Sequence, residues 1–307
     1  MRIIFLYLFI FLTALFFLIN IDETNTGNSL FNNEAYELMN IENVDTSLIM
    51  KENIKIGVVD VGFTNNHPNI KSIPLNKTFS DSVDVKHGDI VSGIIAAHAG
   101  GNNNFTGILP GVTIYTYNLY SDDLSTQALT QALEVMNNEK LDVVNISLAT
   151  PYGDVALYNM VQQMITQGTV VISSSGNYPK NTDYFPAYYN IPRLISVGAL
   201  GKNNDLLNET TYNTSIDVWA IGENVFSLGS ATGSVEAYSG TSLAAPIVTA
   251  LVALMKVKCT NKELSLVEIE RMIVSSATPF MTKWQSKDVN ARILDYKNTL
   301  LSCGGKS

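Results

Sequence analysis

Four polar residues in this chain are of types that together perform acyl transfer: Asp60 in VVDVGF, His87 in KHGDIVSG, Asn177 in VVISSSGN and Ser242 in YSGTSLAAP. A serine hydroxyl is a poor nucleophile until a neighbouring imidazole takes its proton. That imidazole needs a buried carboxylate to fix its tautomer and stabilise the cation that forms. The tetrahedral intermediate then needs fixed donors at its oxygen, which an Asn amide and the nucleophile's own N–H supply. Taken singly, an Asp, His or Asn of this kind is an ordinary turn or packed residue and a Ser is an ordinary N-cap. The conjunction of acid, base, oxyanion donor and nucleophile, each near glycine, carries the reading. Ser242 opens an apolar stretch, so a helix there adds its N-terminal dipole near the developing charge. Gly240, Ala244 and Ala245 allow close approach, and Pro246 falls in the first turn, where a missing N–H costs little. The other histidines, His67 in NNHPN and His98 in AAHAG, read as packed or capping residues.

These residues need a frame, and the surrounding pattern supplies one. Ile54–Asp60, Thr113–Leu119, Val143–Leu148, Thr169–Ser173 and Leu194–Val197 are short runs rich in Val and Ile, the mark of strands buried on both faces. Helical stretches alternate with them at Asp89–His98, Ser125–Asn137 and Val155–Gln167, followed by Ser242–Lys256 and Ser265–Ser276. Alternating strands and helices predict an α/β fold: a parallel, largely doubly wound sheet with helices on both faces. Chemistry in such sheets gathers where strands end and loops begin, which is where the four residues stand.

Of 307 residues, 46% are hydrophobic and 15% charged, enough apolar material for a large core. Disordered, collagen-like and disulfide-scaffold classes are excluded, and a net charge of −9 argues against nucleic acid as a partner. One apolar run, Ile3–Ile19, is preceded by Arg2 and followed by Asp22 and Glu23. Two readings of this hydrophobic helix stand: an uncleaved membrane anchor or a cleaved signal peptide. The absence of small residues just past the run favours the anchor. Either way the remainder is exported, to the extracytoplasmic face of the membrane or to the medium. The organisation reads as 1–20 anchor or signal, 21–33 polar tether and 34–307 one continuous domain. No repeat or linker interrupts that domain.

From about Glu34 to Ala277 the chain resembles the subtilisin-like serine peptidases. The strongest piece is Gly240-Thr241-Ser242-Leu243-Ala244-Ala245-Pro246, similar to that family's Gly-Thr-Ser-x-Ala-x-Pro nucleophile motif. IKIGVVDVG, HGDIVSGIIA, VVNISLA, SSSGN and FPAYYNIPRLISVGA support it. The order Asp, His, Ser is also the family's. The resemblance implies Asp60, His87 and Ser242 as the triad and Asn177 as the side-chain oxyanion donor. It implies that Ser147, Leu148 and Ala149 with Ser174, Ser175 and Gly176 line the pocket for the residue before the scissile bond. Asp183 and Tyr184 fall near that pocket's floor. The implied activity is that of a serine endopeptidase acting on peptides or proteins, a monomer without cofactor, and a leader-peptide-processing member is one form of it.

Several positions depart from the family pattern. Val61 stands where Ser or Thr usually follows the Asp, which removes a hydroxyl partner from the carboxylate. Asp89 replaces a Thr near the triad histidine, and an outward-pointing helix-start acid is the expectation. Calcium is common in the family, but the carboxylate expected after His-Pro is Asn69, and the loop Gly100–Gly107 offers mostly amides. These departures motivate an alternative, a catalytically silent member that only binds peptides. Cys259 and Cys303 lie outside the motifs, and export favours a disulfide between them.

Overall fold

The computed structural model describes residues 32–41, 49, 52–77, 86–100, 103–179, 182–201, 203, 205–213, 215–229, 233–259 and 266–303. The hydrophobic run at residues 3–19 lies outside these. Within them, the first Val- and Ile-rich run forms β1 (Ile56–Val61), a strand with five of its six residues buried. β2 (Lys71–Pro74), β3 (Thr113–Leu119), β4 (Val143–Ile146), β5 (Val170–Ser174), β6 (Leu194–Leu200) and β7 (Val218–Ile221) follow it. All pair in parallel, in the order β7-β6-β5-β4-β1-β3-β2. Near-continuous burial of β4, β5, β6 and β7 fits strands covered on both faces.

Helices α1 (Asn33–Leu38), α2 (His87–Ala96), α3 (Thr126–Asn138) and α4 (Val155–Thr166) precede the long α5 (Thr241–Lys258). From β1 the chain crosses through α2 to β3, then returns through α3 past β1 to β4 and through α4 to β5. Right-handed crossovers in opposite directions put α2 on one face and α3 and α4 on the other. Accordingly α2 packs on α5, while α3 packs on α4. The direction reverses at β1 and β4, so the switch point of the sheet falls beside Asp60 and Ser147. α5 is apolar and long enough to cross a membrane by composition, but 89% of its residues are buried within the domain.

Several elements exceed the sequence reading, β2, β7 and α1 among them. An antiparallel hairpin, β10 (Thr278–Trp284) and β11 (Lys287–Ile293), joins the sheet edge at β7. A smaller hairpin, β8 (Val225–Leu228) with β9 (Val235–Tyr238), precedes α5. After α6 (Leu266–Ser276), the chain closes with α7 (Tyr296–Ser302). Asn32 and Asn33, counted with the tether in the sequence reading, belong to the folded body. Asn32 Nδ2 donates to Phe226 O (2.9 Å) while Phe226 N donates to Asn32 Oδ1 (2.8 Å). Cys259 and Cys303 form a disulfide that ties the end of α5 to α7.

Candidate active site

Asp60, next to last in β1, is fully buried. Its Oδ1 lies 2.6 Å from His87 Nδ1 and accepts from Val61 N at 2.7 Å. Oδ2 is buried without a hydrogen-bond partner among the described residues. The strand end is held by Asn118 of β3, whose Oδ1 accepts from Gly62 N at 2.8 Å. His87 is the first residue of α2, two residues earlier than the helix expected from the sequence, with its side chain 29% exposed. Burial by itself lowers the imidazole pKa. The charge of Asp60 and the hydrogen bond to it outweigh burial and hold His87 above the ordinary histidine value.

Ser242 is the second residue of α5 and is buried. Its Oγ donates to Ser147 O at 3.4 Å, and Ser147 Oγ donates to Ser242 O at 3.1 Å. Ser147 Oγ also accepts from Asn145 Nδ2 at 2.8 Å, and Asn145 Oδ1 accepts from Thr249 Oγ1 at 3.0 Å. A buried polar ladder thus locks the end of β4 to the first turns of α5. Because α2 and α5 pack together, the helix starting with the histidine and the helix starting with the serine share one side of the sheet.

The Asn177 amide has a defined orientation. Its Oδ1 accepts from Thr241 N (2.8 Å) and Thr241 Oγ1 (2.9 Å), so its NH2 faces the other way. Gly240 is required beside it: its φ of 148° disfavours a side chain, and a Cβ there would meet Asn177 Nδ2 at 2.9 Å. Thr241 Oγ1 in turn accepts from Gly176 N at 3.2 Å. Thr241, Asn145, Thr249 and Asn118 were not singled out from the sequence. Two of them lie inside quoted motifs, which was the available signal.

The two segments expected to flank a substrate meet this machinery. Ser147 and Leu148 are buried and Ala149 half-buried; Ser174, Ser175 and Gly176 are all buried. Leu148 and Ala149 also line a small apolar depression with Leu119, Leu124 and Leu129. Asp183 is exposed and Tyr184 buried.

Asp89 corrects an expectation. Rather than pointing outward, it is 3% exposed, and both its oxygens accept from Thr64 N (3.1 and 3.0 Å). Burial pushes its pKa up to about 6 against the hydrogen bonds from Thr64 and the nearby Lys86. The first turn of α2 lies against the β1–β2 connection, so an outward direction is not open to it. The described residues of the expected calcium loop do not fit a cation either. Asn69 Nδ2 donates to His98 O (2.9 Å) and Gly100 O (2.8 Å), so a neutral amide donor takes up carbonyls that a hard cation would need.

A parallel α/β sheet with an Asp–His pair at a strand end and a serine opening a buried helix has the form of a subtilisin-like serine peptidase. The model described as "Subtilase family" matches residues 51–297, past the Ala277 where the sequence resemblance was read to stop, and the chain belongs to that family. It is 29% identical over 239 residues to subtilisin DY of Bacillus licheniformis, covering 74% of this chain and 84% of that one. It is 32% identical over 238 residues to subtilisin Savinase of Lederbergia lenta, covering 73% and 83%. Other subtilisins are matched over only about half their length; the match to subtilisin E of Bacillus subtilis (strain 168) covers 66% of this chain and 55% of that one at 30% identity. Among solved structures, the prenylagaramide maturation protease PagA superposes with a TM-score of 0.70 at 21% identity, covering 89% of this chain and all of that one. At that identity the likeness is one of fold.

Proposed function

We propose that the chain is a serine endopeptidase that hydrolyses peptide bonds through an acyl-enzyme. The observation carrying this reading is the buried Asp60 carboxylate 2.6 Å from His87 Nδ1. It fixes the tautomer with Nδ1 protonated and leaves Nε2 as the base. His87 takes the proton of Ser242 as the hydroxyl attacks the carbonyl, and Asp60 stabilises the imidazolium. Asn177 Nδ2 and the N–H of Ser242, at the start of α5, donate to the oxyanion. The proton on His87 passes to the leaving amine. Water then deacylates the serine with the same base. Ser147–Ala149 and Ser174–Gly176 flank the substrate backbone, which adds to them as an extended strand.

The same reading makes it an exported, monomeric enzyme held at the membrane through residues 3–19, without nucleic-acid partner or cofactor. A dedicated role in removing leader peptides is the narrower form of this reading, and the fold is shared with the prenylagaramide maturation protease PagA. A second reading, a silent peptide-binding member, draws on the unpartnered Asp60 Oδ2 and on the Ser242 hydroxyl bonded to Ser147 O. A fluorophosphonate probe separates the two. Covalent labelling of the native chain that is lost in Ser242→Ala supports the enzyme. Folded native protein that takes up no label refutes it. In Ser242→Ala, kcat falls by roughly 10⁶, the magnitude known for subtilisin itself.

A further inference from the structure

Two tyrosines just beyond Asn177, Tyr178 and Tyr184, play no part in the chemistry above. Their rings stack, with centroids 4.3 Å apart and planes 4° from parallel. Tyr184 is 8% exposed. Its location is given by Gly176, where a Cβ would come 3.4 Å from Tyr184 Cγ and 3.5 Å from Ala149 Cβ. Gly176 belongs to one wall of the slot for substrate and Ala149 to the other. The space one bond out from Gly176 is therefore already in van der Waals contact with the tyrosine ring.

The ring has little freedom to leave. Thr150 N donates to Phe185 O (3.0 Å) and Phe185 N to Thr150 O (2.9 Å), lacing the residue after Tyr184 to the end of the first wall. On the other side, Tyr178 N donates to Thr211 Oγ1 (3.1 Å) and that hydroxyl donates to Tyr178 O (3.0 Å). Thr211 N donates to Gly176 O at 2.8 Å, so the second wall and the stacked partner hang from the same residue.

We propose, resting on the reading that residues 147–149 and 174–176 flank the substrate, that Tyr184 closes the floor of the pocket for the side chain preceding the scissile bond. Cleavage is thereby restricted to bonds that follow small residues, namely glycine, alanine or serine. A large apolar side chain would have to displace a stacked, laced ring, and close-packed sites answer such insertion with strain. A basic side chain would find no buried counter-charge among the described wall and floor residues. Burial pushes the Tyr184 hydroxyl up to about 12, so the floor is neutral, and the neighbouring Asp183 carboxylate is exposed.

The test is a peptide series varied only at the residue before the cleaved bond, read as kcat/KM with the full chain. The expected order is alanine, glycine and serine above leucine, phenylalanine and lysine. In Tyr184→Ala the phenylalanine-to-alanine ratio rises on the order of 100-fold, the scale on which a pocket discriminates by size. Tyr184→Phe keeps the ring and keeps the ratio. Native enzyme that cleaves best after phenylalanine, leucine or lysine overturns the proposal whether or not the variants fold. So does a Tyr184→Ala protein that labels with fluorophosphonate yet shows an unchanged ratio. Native protein that neither labels nor cleaves any peptide overturns instead the peptidase reading beneath it.

Discussion

Replacing Val61 by threonine puts a hydroxyl on the residue that follows Asp60, whose Oδ2 has no partner among the described residues. Asp60 Oδ1 is served twice, by His87 and by Val61 N, while Oδ2 is buried and bare among the described residues. A hydrogen bond to a charged acceptor is worth about 1.5–3 kcal/mol net. Losing the methyl from a half-buried site costs about 0.5–1 kcal/mol. The expected balance is a gain of about 1–2 kcal/mol, or a rise in Tm of roughly 3–6 °C. Calorimetry in a Ser242→Ala background, which prevents self-digestion, measures it. A second readout comes from the active enzyme. Catalysis needs neutral His87, so kcat/KM rises with pH through the His87 pKa, which Asp60 holds above the ordinary value. A hydroxyl donating to Asp60 draws charge from the Asp–His bond, and the acid limb moves to lower pH by about 0.3–0.5 units. A Val61→Thr protein with unchanged Tm and an unmoved limb would refute the idea that the carboxylate is under-served.

Asn177→Ala lowers kcat by about 10²–10³ with little change in KM, again the magnitude known for subtilisin, since the amide acts in the transition state; an equal rise in KM at constant kcat would mean it only binds substrate. Asp89 carries a pKa of about 6 in the fold against 3.8 for the free side chain. Its raised value favours folding below about pH 4, and this contribution is lost as pH rises towards 6, a swing of roughly 3 kcal/mol. Asp89→Asn therefore flattens urea-derived stability between pH 4 and 6, and an unaltered slope would show that Asp89 is not the group responsible. Chelation leaves Tm unchanged, because the Asn69 amide fills the role of a cation. Asn69→Asp turns two carbonyls against a carboxylate and costs about 1–3 kcal/mol in chelator; a native Tm that falls on chelation contradicts this account.

The parts of the sheet that were legible are those buried on both faces. IGVVDV, VVNI and VVISS have no partner pattern other than a central parallel strand, and each was found within two residues of its ends. The edge hairpin was not. Along β11 burial alternates as KDVNARI, with Val289, Ala291 and Ile293 inward, a period-two pattern that a reading for continuous Val- and Ile-rich runs does not detect. The inward turn of Asp89 was missed for a related reason. Spacing along a helix gives a residue's azimuth, but whether that azimuth meets solvent depends on Thr64, in a connection 25 residues earlier.

Sequence motifs single out candidate side chains, whereas which groups hold one another in place is settled between segments far apart in sequence. The Asn177 amide is aimed by Thr241, 64 positions away, and Ser147 and Ser242, 95 apart, hold one another through reciprocal hydroxyl-to-carbonyl bonds. A helix start beside a strand end brings two such distant groups together without either needing a distinctive neighbour in sequence. This explains why Asp60, His87, Asn177 and Ser242 stand out in GTSLAAP, SSSGN and their companions while Thr249 and Thr211 do not. It also explains where specificity can diverge at little cost to chemistry. Tyr184 is attached to the walls of the slot through Phe185 and Thr150 rather than through Asp60, His87 or Ser242. The floor of the pocket can therefore be rebuilt by a substitution that leaves every bond within the Asp60–His87 pair and the Thr241–Asn177 pair in place.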